Sequence, residues 1–478
     1  MNRSNLPSAA FIDPKGENRQ EIERLTERVF ALLLPYLTEA TKRSPLPVAH
    51  VQEAAIPETP VAEDDLLERL RSIIADSVNI AHPGFIGHMN SMPTTMSILG
   101  DLVASALSNN MLFQELSPVF TPLELSLMKQ FTALFGLGEQ AGGVLLGSGT
   151  MSNLQVLAVA RNLRFNALEK GIGSLTKTPV VLASEAAHAS VRKAVMILGL
   201  GASSLIAVAT NENSQMKPDA LQAEIEKSRA DGKEPFCIVA TAGTTVTGNI
   251  DPLIEIGHIA REQGLWFHVD AAYGGGLIFS EKYRHRLAGI EMADSVTFNP
   301  QKWLYVSNGC AMALFRNMKE MQSALLIPSP YSNDAGGEVV NLGEVTVHGS
   351  RRVEVLKLWL SLQHIGRRGY AQLVEEACDL TQYFLHQIGE RPFLQTVGKP
   401  DMNILCFRGT PQRIPADDWD QWNAGLQTHL LRERDVFLSF PPYRGKRWLR
   451  TVLLNPYTDE QMIDRLFSDI DAFARSVN

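Results

Sequence analysis

A chain of 478 residues is too long for one compact core, so two or three domains are expected. Hydrophobic residues make up 45% and charged residues 20%, as in an ordinary globular chain, and a formal net charge of −8 without a basic stripe argues against nucleic-acid or acidic-membrane partners. No apolar run approaches the roughly 18 residues of a membrane helix, and the first twenty residues lack the apolar core of a signal peptide, so the cytoplasm is the expected compartment.

In chain order, Arg19 to Leu37 reads as an amphipathic helix, with Ile22, Leu25, Val29, Leu32 and Leu33 returning at three- and four-residue steps. Residues 64–78 repeat the pattern after a proline-rich linker. Two such helices make no core alone; they lie on a second subunit or form a flap on the same chain. HPGFIGHMNSMPT, starting at His82, leads into a helix ending near Asn109. Thr121-Pro122-Leu123-Glu124 then has the form of a capping box with proline at the first helical position, and predicts a helix to about Phe135.

From Gly143 short apolar strands alternate with helices. Strands are expected near 144, 180, 204, 236, 265, 295 and 311, with helices over 153–168 and 188–198 and from Pro218 and Pro252. The alternation predicts an α/β fold with a mainly parallel, doubly wound sheet. Helices near 351–364 and 368–389, strands at 402–408, 436–440 and 448–454, and a closing helix then predict a smaller α+β domain. The expected division is a helical segment over 1–85, a large domain over 86–335 and a small domain over 336–478.

Charged and polar residues collect where parallel strands would leave the sheet, the edge at which open α/β sheets bind ligands. Lys302, in ADSVTFNPQKW, and Asp270, in HVDAAYGGG, would meet there. A desolvated lysine can serve as an imine-forming amine, and an aspartate can keep a pyridinium nitrogen protonated; the pair suits pyridoxal phosphate. A surface-loop lysine is the bland alternative. Gly147-Ser148-Gly149-Thr150 joins a strand to a helix and reads as a phosphate turn or as a tight packing turn.

His188 stands at a strand-to-helix junction, where it lies flat on a cofactor ring or faces solvent as a helix-start histidine. Thr244 and Thr245 offer hydroxyls on the same edge, or merely form a threonine-rich turn. Asn299 and Gln301 flank Lys302 and are candidates for holding phosphate. His268 and Asp270 share a strand face, a spacing that also suits a metal, but no further ligands stand at a convincing spacing. Cys237, Cys310, Cys378 and Cys406 form neither a disulfide framework nor a metal pattern, so no metal is expected. Tyr331, in IPSPYSNDAGGE, is either a bystander or a proton donor that closes over a site.

With HPGFIGHMNS, SNNMLFQELSPVFTPLE, GSGTMSN, EAAHASVRKA, AGTTVTGNIDP, HVDAAYGG, NPQKW and WLRTVLLNP assembled, most of the chain resembles the group II pyridoxal-phosphate-dependent amino acid decarboxylases. HVDAAY followed about thirty residues later by NPxKW is the most specific of these signals. The resemblance implies a fold like aspartate aminotransferase (fold type I) and a homodimer with sites at the subunit interface, its amino-terminal segment wrapped on the partner. It implies that Lys302 is the Schiff-base lysine, Asp270 the pyridinium partner and His188 the stacking residue. Ser148, Gly149, Thr150, Thr245, Asn299 and Gln301 would then surround the cofactor, and Tyr331 would return a proton to the α-carbon. Gly349 or Ser350 would reach the partner's phosphate. Gln301 is a departure, since the family usually has histidine before the lysine.

For the substrate, the matching position of Arg450 binds a side-chain carboxylate in glutamate-type members, although aromatic-type members also carry an arginine there. Gly84 stands where aromatic-type members place a ring, and His88 where glutamate decarboxylases have a glutamine. A short acidic amino acid (aspartate, glutamate or cysteine sulfinate) is therefore expected. The runner-up is an aromatic L-amino acid, with Phe85, Phe113 and Trp303 lining an apolar pocket or simply packing the core. An aminotransferase or carbon–carbon lyase would use the same lysine and aspartate.

Overall fold

The computed structural model describes residues 6–48, 50, 54–328 and 341–476. Its centre is a seven-stranded sheet: β1 (Gly142–Leu146), β2 (Thr178–Ser184), β3 (Leu205–Val208), β4 (Lys233–Thr241), β5 (Trp266–Asp270), β6 (Ser295–Phe298) and β7 (Ala311–Phe315). In space they run β1-β7-β6-β5-β4-β2-β3, all parallel except β7, which is antiparallel to both its neighbours. Apart from the edge strand β3, the strands are buried along nearly their whole length because helices cover both faces, which is why they read as unbroken apolar runs rather than as alternating patterns. Helix Gly149–Phe165 crosses the sheet with ten buried residues.

Carboxyl-terminal to this, β8 (Leu394–Thr396), β9 (Ile404–Gly409) and β12 (Leu449–Val452) form an antiparallel sheet in the order β12-β9-β8, with a two-residue-strand hairpin, β10 (Pro442–Tyr443) and β11 (Lys446–Arg447), beside it. Its own apolar core includes Phe384, Phe407, Trp422 and Phe467. The two helices expected over 351–389 are both present: the stretch Glu354–Gly389 is two helices that meet at Gly366, whose φ of 71° and ψ of 166° are not helical.

Two expectations need correction. The capping box does not form: the helix starts at Phe120, before Thr121, and Val119 at its N-cap offers no side-chain acceptor. Glu124 is instead fully buried, accepting from the Leu145 N–H at 2.9 Å and from Arg351 Nη2 at 2.6 Å. A carboxylate committed to a buried ion pair cannot fold back to cap. Residues 436–440 are no strand either. They run extended, with the Phe437 N–H donating to Gly84 O at 2.8 Å and the Arg450 N–H to Ser439 O at 2.8 Å.

The amino-terminal helices, Arg19–Thr38 and Glu63–Asp76, bury no residue and only Leu67, respectively. Ion pairs of Arg24 and Arg28 with Glu63, and of Arg28 with Asp64, tie them to each other. Among the described residues, no helix is long and apolar enough to cross a membrane.

Candidate active site

Parallel strands deliver side chains to the carboxyl edge of their sheet, and here five of them do so together. β1 ends before Gly147 and Ser148, β2 before His188, β4 before Thr245, β5 at Asp270, and β6 before Asn299, Gln301 and Lys302. Ser148, Gly149, Thr150, His188, Thr245, Asp270, Asn299, Gln301 and Lys302 all line one cavity of about 230 Å³.

At one end of the cavity, Ser148 Oγ accepts from the Met151 N–H at 3.3 Å and caps helix Gly149–Phe165, whose first N–H groups have no intrahelical acceptors. A Cβ at position 149 would stand 2.8 Å from Asn299 Nδ2, so glycine is what lets the turn approach that amide. Asn299 Oδ1 is buried without a partner among the described residues. Gln301 Oε1 accepts from the N–H groups of Gly309 at 2.9 Å and Cys310 at 2.7 Å, which fixes the amide and leaves Nε2 as its donor. A helix amino end, a hydroxyl and two side-chain amides suit a phosphate group. Thr244 bonds Thr247 and the Asn249 N–H and so holds the turn, while Thr245 faces the cavity.

Burial lowers the basicity of Lys302, aided by the Arg450 charge and opposed by Asp270. His188 is likewise lowered, chiefly by burial and against the pull of Asp270. It stands at the start of helix Ala189–Ile197, accepting from the Ser190 N–H, yet its ring borders the cavity. His268 is pushed down to about 4 by burial. Among the described residues no three His, Cys, Asp or Glu side chains gather as a metal ion requires.

Arg450 stands behind Thr245 on β12. It is 5% exposed, donates to Thr245 O at 2.6 Å and Gly87 O at 2.9 Å, and lies 3.2 Å from His88 Nδ1. It has no carboxylate partner among the described residues, and its Nε finds no acceptor. Phe85 packs on Phe437 with ring centres 5.3 Å apart, Trp303 stacks on Tyr273, and Phe113 is buried; none of the three lines the cavity around Lys302, and neither do Arg450 and His88, which stand behind Thr245. A Cβ on Gly84 would meet Asp435 O at 2.1 Å, so backbone packing alone demands glycine there. Gly349 and Ser350 are exposed. Tyr331 lies outside the described residues.

One residue that local patterns did not single out joins the site: Asn153, buried on the helix after the phosphate turn, donates from Nδ2 to Asp270 Oδ2 at 2.8 Å. Its only sequence signal is a polar residue one turn into an otherwise apolar helix face.

Comparison with known proteins agrees with this geometry. The family model described as "Pyridoxal-dependent decarboxylase conserved domain" matches residues 45–410. Cysteine sulfinic acid decarboxylase of Mus musculus is 30% identical over 433 residues, 87% of each chain. Its apo crystal structure superposes with a TM-score of 0.87 at 28% identity, covering 95% of this chain and 99% of that one. The acidic amino acid decarboxylase GADL1 of Xenopus tropicalis is 28% identical over 87% of this chain and 83% of its own. The structure of Oryza sativa TDC with PLP and tryptamine shares the fold at a TM-score of 0.90 and 22% identity, over 98% of this chain and all of that one. The chain belongs to the pyridoxal-dependent decarboxylase family and is an amino acid decarboxylase whose cofactor is pyridoxal 5'-phosphate.

Proposed function

We propose that the protein decarboxylates a short acidic amino acid such as aspartate, glutamate or cysteine sulfinate. Arg450 carries the reading. A guanidinium buried without a carboxylate partner is costly unless an anion joins it, and its planar donors suit a carboxylate or sulfinate. It holds the carbonyl of Thr245, a residue that lines the Lys302 cavity. His88 accepts from Arg450 at Nδ1, which leaves its Nε2 as a second donor beside the guanidinium. The mouse and frog relatives, a cysteine sulfinic acid decarboxylase and an acidic amino acid decarboxylase, point the same way. An aromatic substrate gains no support from Phe85, Phe113 or Trp303, which pack elsewhere.

Bound pyridoxal phosphate supplies the electron sink that accepts the pair released when the α-carboxylate departs. The protein's part is placement and proton control. Lys302, its basicity lowered by burial, is the amine that would hold the cofactor's aldehyde; Asp270 would keep the ring nitrogen protonated, and His188 would pack against the ring. Ser148, Gly149, Thr150, Asn299 and Gln301 hold the phosphate. Arg450 would hold the substrate by its distal acid and so orient it for loss of the α-carboxylate. Tyr331 is our proposed donor of the proton to the α-carbon.

We also propose a homodimer, because Leu99, Leu102, Val103 and Leu107 on helix Thr95–Leu107 are exposed alongside the unburied amino-terminal helices. The test of function is carbon dioxide release from a panel of amino acids. Turnover of tyrosine, tryptophan or dopa without turnover of aspartate, glutamate or cysteine sulfinate would overturn the substrate reading.

A further inference from the structure

The most connected polar residue beside the cavity is Asn153, and its partners dictate where each hydrogen sits. The Asp270 carboxylate only accepts, so the amide end 2.8 Å from it is Nδ2, which also donates to Ser190 Oγ at 2.9 Å. Asn153 Oδ1 must then accept from both its neighbours, Thr297 Oγ1 at 2.8 Å and His268 Nε2 at 3.1 Å. A neutral imidazole carrying its hydrogen on Nε2 has a bare Nδ1, which faces the Ser295 hydroxyl at 3.0 Å and the Ser295 carbonyl oxygen at 3.1 Å, and of these two only the hydroxyl can donate to it. Ser295 Oγ in turn accepts from Trp266 Nε1 at 2.8 Å.

Thr297 and His268 therefore both donate to Asn153, and Asn153 donates to Asp270. The second arm has the same logic. Ser190 Oγ, receiving from Asn153, passes its own hydrogen to His188 Nδ1 at 2.8 Å, which leaves the hydrogen of His188 on Nε2. The titratable and charged groups around this network are Asp270, His268, His188 and Lys302, with Lys193 facing His188 and Arg450 facing Lys302.

We propose that Asn153 is a positioning residue that directs a one-way chain of hydrogen-bond donors onto Asp270 and, through Ser190, sets the tautomer of His188. Asn153 itself borders the cavity, but all four hydrogen bonds of its amide go to protein side chains, so its effect on the cofactor passes through Asp270 and His188. A carboxylate supported in this way stays the acceptor that a protonated ring nitrogen needs, and an amide is required because one group must donate on two sides and accept on two others. The inference rests on the site reading above, in which Asp270 and His188 face the cofactor ring.

The test reconstitutes full-length Asn153→Ser, Thr297→Val and Asp270→Asn proteins with pyridoxal phosphate. It reads cofactor affinity by fluorescence quenching and the pH midpoint of the bound cofactor's visible absorbance. Losing a hydrogen bond to a charged group predicts that Asn153→Ser weakens cofactor binding about tenfold or more and moves the midpoint up by about one pH unit. Thr297→Val, which removes one donor to Oδ1 with little change of shape, shifts the midpoint the same way by less.

A role in packing alone would lower the melting temperature of Asn153→Ser and leave affinity and midpoint at wild-type values; that result, with Asp270→Asn shifted, overturns the proposal and spares the site reading. No shift in Asp270→Asn would overturn the site reading itself. If Asn153→Ser does not fold, an unmoved midpoint in Thr297→Val decides against the proposal.

Discussion

Arg450→Met replaces a buried guanidinium by an apolar chain of similar length. The wild-type side chain holds Thr245 O at 2.6 Å and Gly87 O at 2.9 Å, so the variant strands two carbonyls, at roughly 1–3 kcal/mol each. It also relieves the burial of an unpaired cation, an opposing effect of several kcal/mol, so folding stability should change little. Substrate has no such compensation. A charge-assisted hydrogen bond to the distal acid contributes about 2 kcal/mol, and its loss lowers kcat/KM about 30-fold for aspartate, glutamate or cysteine sulfinate. The assay is carbon dioxide release across substrates with acidic and uncharged side chains, because the informative quantity is the ratio of kcat/KM values. Displacement of Thr245 would slow every substrate alike, whereas loss of the acid's partner slows only the acidic ones. An unchanged ratio would refute the assignment of Arg450 to the substrate.

Lys302→Ala should abolish borohydride-stable attachment of the cofactor, read by intact-protein mass spectrometry, and reduce decarboxylation to background. Tyr331→Phe should keep that attachment and shift product from amine toward aldehyde, read by chromatography of the reaction mixture. Gly84→Ala should destabilise the fold by about 1–3 kcal/mol in urea unfolding, since the new methyl group would sit 2.1 Å from Asp435 O and backbone must move. The apoenzyme should lose stability as pH falls from about 6.5 toward 4, because unfolded His268 takes up a proton that burial denies it in the folded chain until about pH 4. The contribution is present above pH 6.5 and falls by up to about 1 kcal/mol per pH unit through that window; thermal melts should show a shallower decline for His268→Gln.

What could be read from the sequence and what could not divide along a physical line. Asp270, Asn299 and Lys302 were legible because a strand buried on both faces announces its own end: an apolar run stops at a polar residue, and parallel strands stop on one edge. The helices at Arg19 and Pro218 were legible for the same reason, since their periodicity lies within one window. Glu124 misled because a capping box is a local pattern, while its carboxylate is drawn off by Arg351, 227 residues away. Residues 436–440 misled because their apolar alternation answers to Gly84 and Arg450 rather than to a sheet of their own.

Asn153 makes the same point within the site. Its partners Asp270, His268 and Thr297 lie 117, 115 and 144 residues downstream, and no local window joins them. Its burial is tolerable only because the sheet brings β5 and β6 against the first turn of helix Gly149–Phe165, where every polar atom of the amide finds a partner of the right sign. The residue types that carry the chemistry are therefore fixed by where strands end, but the protonation states that let them act are fixed by contacts between elements. A substitution at 153 that kept helix propensity and volume would satisfy every local rule and still leave Asp270 without its directed donor.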